Sequence, residues 1–135
     1  MANRLYDLGR ESFLKGEISW NGDNIKAVLV DSASYTPDTA VDQFFDDISG
    51  VVATSGNLAS KTTTDGVADA ADVTFSSVPT GSPAEFIVVY QDTGTPSTSR
   101  LIALVDTATT GLPVTPNGGD ITVQWDTGAN KIFKL

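Results

Sequence analysis

Two triplets in this chain could do chemistry: Asp92-Thr93-Gly94 and Asp126-Thr127-Gly128. Two carboxyl groups brought close enough to share one proton can activate a water molecule for hydrolysis. The same triplet is also a turn former, because Asp bonds to nearby backbone N–H groups and Gly accepts a positive φ. A second acidic group, Asp65, Asp69 and Asp72, could offer oxygen ligands to Ca²⁺. Its spacing is not that of an EF-hand and the segment contains no Glu, so solvated turn carboxylates are the plainer reading. Asp42, Asp46 and Asp47 read as the polar side of a helix. Gly118-Gly119-Asp120 lacks the Gly-Lys-Ser or Gly-Lys-Thr continuation of a phosphate loop. Trp20 and Trp125 read as core or interface anchors rather than sugar platforms.

The paired DTG triplets resemble those of an aspartic protease, and the departures decide against it. The chain is far shorter than a two-lobed protease, whereas a retroviral-type subunit carries one triplet and not two. No apolar-apolar-Gly element follows either triplet to buttress an aspartate loop. Turns are therefore the expected role of both, and a hydrolase of this type stands only as a remote alternative.

Composition removes most other catalytic chemistry. The chain has 135 residues, no Cys and no His. Disulfides, thiolate nucleophiles, imidazole acid–base roles and His-based metal sites are absent with them. The length suits one domain, 1–135, able to bury roughly two-thirds of its unfolded surface. Asp plus Glu is 17 against 8 for Lys plus Arg, a formal charge of −9. That balance disfavours nucleic acid and anionic membrane as partners and favours solubility or docking on a basic protein surface. No apolar stretch approaches membrane-spanning length, and MANRLYDLGRES has no signal-peptide core, so synthesis in the cytoplasm is expected. No cofactor, no metal and no enzyme activity are expected.

The element pattern changes near Gly50. Residues 3–15 predict a helix with Leu5, Tyr6, Phe13 and Leu14 as its stripe, Asn3 as cap and Gly16 just past its end. Gly9 lies on or near that stripe, where it either allows close backbone approach or weakens the helix. Ile25–Val30 is a short, nearly all-apolar run ending at Asp31 and predicts a central strand covered on both faces. Residues 39–48 predict a second short helix after Pro37, with Val41, Phe44, Phe45 and Ile48 inward. From Val51 on, strands are expected at 51–54, 58–63, from Val67, at 73–78, 86–90, 101–105, 121–125 and 131–135, with a loop over 107–120. The 86–90 and 101–105 runs predict a long-tipped hairpin of central strands, and 121–125 with 131–135 a second hairpin. The fold class expected is mainly β, a β-sandwich or jelly-roll-like domain with two short helices in its N-terminal third.

Four segments together carry a resemblance: MANRLYDLGRESFLKGEISW, NIKAVLVDSASYTPDTAVDQFFDDI, VATSGNLASKTTTDGVADAADVTF and LIALVDTATTGLPVTPNGGDITVQWDTGANKIFKL. They resemble a family of small structural proteins of tailed bacteriophages and prophages, over essentially the whole chain. Related chains often carry His where this one has Val41-Asp42-Gln43, and no function is tied to that His. The family brings no catalytic residues. The resemblance implies a virion protein made in the bacterial cytoplasm, most simply a capsid cement or decoration protein on the outer surface of the head. Its expected partners are the major capsid protein or other virion proteins, and further copies of itself as a dimer or trimer. A tail or head–tail junction component is the nearest alternative. Leu5, Tyr6, Phe13, Leu14, Phe133 and Leu135 are the candidate interface, with ordinary core packing as their competing role.

Overall fold

The computed structural model describes residues 3–106 and 112–135. The first five residues of the loop expected at 107–120 lie outside them. The chain runs through β1 (Arg4–Leu5), α1 (Asp7–Leu14), β2 (Ile25–Val30), β3 (Val51–Thr54), β4 (Val67–Ala68), β5 (Val73–Phe75), β6 (Phe86–Gln91), β7 (Leu101–Val105), β8 (Ile121–Val123) and β9 (Phe133–Lys134). The protein is thus mainly β, with one α-helix among the described residues and open antiparallel sheets rather than a closed barrel. No described helix is long and apolar enough to cross a membrane.

Ile25–Val30 is an inner strand, as its composition predicts. The main sheet has the order β1-β7-β6-β2-β3, antiparallel throughout. Alternation along β2 sends Ile25, Ala27 and Leu29 into a large apolar cluster and Val28 and Val30 into a smaller one on the other face. Strands β6 and β7 form the expected long-tipped hairpin, and all five residues of β7 are buried.

Strands β3, β4, β5 and β8 form within the expected ranges, but the pairing of the later strands departs from expectation. The C-terminal hairpin does not form: β8 pairs with β5, and β9 pairs with β4. Residues 67–78 and 118–135 run antiparallel as one interrupted ribbon, continued by Val78 N donating to Gly119 O and Gly118 N donating to Val78 O. An isolated two-stranded hairpin is marginal in water. The longer pairing puts Val73, Phe75, Ile121 and Val123 together in the large cluster. The 126–131 segment loops out of the ribbon. The strand expected at 58–63 reduces to one bridge, Thr62 with Asp69.

Both helix expectations need correction. Residues 4–5 are strand, so the helix begins at Asp7. Leu5 enters the large cluster and Tyr6 the small one, a two-residue alternation across a sheet rather than a helical stripe. Asn3 caps nothing on α1; its Oδ1 accepts the Asp106 N–H at 3.0 Å. Gly16 adopts φ +74° just past the helix, as expected. Gly9 allows close approach: a Cβ there would lie 2.4 Å from the Leu101 carbonyl oxygen.

The 39–48 helix is absent, replaced by a turn at 38–42 and a single 3-10 turn at Phe45–Asp47. The Asp42 carboxylate accepts the Asp38 N–H, and Asp47 accepts those of Gln43 and Phe44. Side-chain acceptors thereby take backbone donors away from a helical ladder. Gln43 O accepts Leu101 N–H, and Phe45 N–H donates to Ser99 O, so this stretch pairs with the sheet instead.

Candidate functional site

Each DTG triplet closes its own turn. Gly94 N–H donates to Asp92 Oδ1 at 3.0 Å, and Gly128 N–H donates to Asp126 Oδ1 at 3.2 Å. Asp92 also pairs with Lys26, Nζ to Oδ2 2.9 Å, and this contact holds its carboxyl below the usual aspartate range. Asp92 borders a small depression with Phe45 and Tyr90, whereas Asp126 borders a different one with Arg4 and Arg10. The fold does not bring the two carboxylates together as a proton-sharing pair.

The acidic triplet is also dispersed. Asp65 and Asp69 border one depression and Asp72 another, where Asp72 Oδ1 accepts the Trp125 N–H. Among the described residues no three acidic side chains gather where they could hold a metal ion. Both tryptophans are core anchors. Their indole N–H groups donate to the Asp69 and Ala71 carbonyls, so their burial leaves no polar atom unsatisfied.

The six candidate interface residues divide between core and surface. Leu5, Tyr6 and Phe133 are buried within the protein's own core. Phe13 is half-buried, its ring 6.0 Å from that of Phe133. Only Leu14, 86% exposed, and Leu135, 58% exposed, are free to meet another molecule.

Leu14 ends the helix, and Leu135 follows the strand, that border the most distinctive surface feature. A depression of about 320 Å³ lies between β1, α1 and the C-terminal arm of the ribbon. Arg4, Arg10, Lys131 and Lys134 line it, with Asp126 as its one carboxylate. The other four basic residues are all engaged elsewhere. Lys15 pairs with Glu11 and Lys26 with Asp92; Lys61 donates to the Asp23 carbonyl, and Arg100 lies over the Phe44 ring. The four in the groove make no ion pair or side-chain hydrogen bond to the described residues. Half the positive charge of a strongly acidic chain is therefore gathered in one concavity, with no ion pair among the described residues. Unpaired like charges repel each other, so this arrangement lowers in energy when an anionic group enters.

Sequence reading missed this groove. Its cations come from the first ten and the last five residues, and no local motif joins them. The available signal was distributional: half of all Lys and Arg sit at the two ends of the chain. No protein-family model, curated protein or solved structure matches this chain.

Proposed function

We propose that this protein is a non-enzymatic virion structural component of a tailed phage, decorating the head and tying capsomers together. The observation that carries this reading is the cationic groove with its exposed leucines, a surface fitted to dock protein. Electrostatic complementarity of this kind steers and orients association. In a shell of many copies, modest contacts add to strong attachment. The full-length resemblance described above supports the particle as the setting.

We read the fold as a β-sandwich-like domain, with the main sheet facing the β4–β9 and β5–β8 pairs across the large cluster. The protease alternative is not taken up, because each DTG aspartate is engaged in its own turn and borders a separate depression.

Cryo-EM of purified particles tests the proposal. Density for this chain in many copies over the head supports decoration. Density confined to rings along the tail axis replaces it with a tail or junction role. Absence from the particle overturns the virion reading altogether.

A further inference from the structure

We propose that the cationic groove receives the 38–47 loop of a second copy of this chain, in a two-fold dimer formed along the composite edge that residues 4–6 and 43–45 make beside β7. The inference rests on the reading of the protein as an oligomeric structural component, and it names the surface and the occupant.

Residues 4–6 and 43–45 follow one another along the same side of β7. Arg4 lies opposite Leu104, Tyr6 N–H donates to Ile102 O, Gln43 O accepts Leu101 N–H, and Phe44 bridges to Arg100. The groove thus sits at the Arg4 end of this composite edge and the Phe44–Asp47 part of the acidic loop at the other, with Thr39 beside Asp7 between them. Four residues of strand separate Arg4 from Phe44 along this edge, about 13 Å at ~3.3 Å per residue. The Thr39 carbonyl accepts the Asp7 N–H at the start of α1, which fixes the loop to the same edge.

The two ends are complementary. The groove has four cations that make no ion pair among the described residues. The loop has Asp38, Asp42, Asp46 and Asp47 and no Lys or Arg. Asp38, Asp42 and Asp47 each accept local hydrogen bonds, but Asp46 is exposed and has no partner among the described residues. Each end also exposes apolar side chains: Val41, 63% exposed, on the loop, and Leu14 and Leu135 beside the groove. The groove lies on the large-cluster side of this edge and the loop on the small-cluster side. A two-fold axis oblique to the edge, exchanging both its ends and its faces, therefore sets each groove on the partner's loop; the same contact is made twice and the assembly closes. An acidic segment of some other protein would match one end only and would leave the loop uncovered.

Sedimentation of the full chain tests this. At low salt the wild type is expected at twice its 14.1 kDa mass, dissociating as salt is raised. Arg10→Glu with Lys134→Glu, and separately Asp38→Lys with Asp46→Lys, are each expected to weaken the dimer by about tenfold or more. Mixing the two variants restores attraction at both contacts, so the mixture is expected to form a heterodimer. Far-UV circular dichroism confirms that each variant remains folded, and carrying all four substitutions in one chain restores the homodimer if the pairing is right. A wild type that stays monomeric, a closed assembly of another order, or a dimer indifferent to these reversals overturns the inference. Any of those results leaves the particle position to be read independently from the cryo-EM map.

Discussion

The two faces of the main sheet are covered in different ways. On one face the large cluster is closed by the ribbon, by Ile18 and Trp20, and by Phe133, whose ring meets Trp20 edge-on at 5.3 Å. On the other, the small cluster is closed by the 31–50 segment, which lacks regular structure beyond one 3-10 turn. That cover is pinned by a polar chain: Tyr35 O–H donates to Asp42 at 2.6 Å, and the Tyr6 and Tyr35 hydroxyls are 3.0 Å apart. The first face is held by apolar area and interdigitation, the second by a few directed bonds. A segment without a ladder of its own needs such bonds to hold one position.

Matched truncations give the largest test of this difference. Leu29→Ala opens the large cluster and Leu104→Ala the small one; both leucines are fully buried. Each is expected to cost about 2–5 kcal/mol in urea unfolding, with Leu104→Ala the cheaper because an irregular cover settles further into a void. A Leu104 cost equal to or above that of Leu29 would show that the loop side is as firmly packed as the ribbon side.

The seam beside these two layers comes next. Gly9→Ala drives a Cβ against the backbone of Leu101, which cannot rotate away. A destabilisation of about 1–3 kcal/mol is expected, with α1 displaced from β7. A neutral result in thermal melting would mean that the helix rides loosely on the sheet edge.

The polar pins follow. Tyr35→Phe removes the bonds to both Tyr6 and Asp42 and is expected to cost about 2 kcal/mol. Tyr6→Phe leaves the Tyr35–Asp42 bond in place and is expected to cost about 1 kcal/mol. Burial raises the folded-state pKa of both tyrosines, and it pushes Tyr90 up to about 12. The unfolded chain therefore loses these protons first. This share of stability is intact below about pH 10 and falls as pH rises beyond it. Equal costs for the two Phe variants would show that the Tyr35–Asp42 bond adds nothing of its own.

The Lys26–Asp92 pair at the end of β2 and β6 gives the smallest effect. Asp92→Asn is expected to cost under about 1 kcal/mol, since the pair is partly exposed. The folded carboxyl titrates below its unfolded value of about 3.9, so the contribution is present above that pH and disappears as pH falls through the lowered folded value. Unfolding curves of wild type and Asp92→Asn measured against pH are expected to converge in acid. A constant gap down to the lowest pH would assign the effect to the Gly94 turn instead.

Local sequence determined β2, β6 and β7. Their continuous apolar runs cannot be half-wet, so they had to lie inside a sheet covered on both faces. It determined both DTG turns too, because an aspartate two residues before a glycine makes its bond within the triplet. Tertiary structure decided wherever a short segment had a choice of partners. Leu5 and Tyr6 fit a helical stripe on paper, yet β7 offered an edge that sends them to opposite cores. Phe133 fits a docking tip, yet Trp20 and Phe13 enclose it. The groove depended most on the fold, since its charges meet only when strands from the two ends of the chain reach the same corner. No spacing rule spans that distance, because the contacts that close it are made by residues in between.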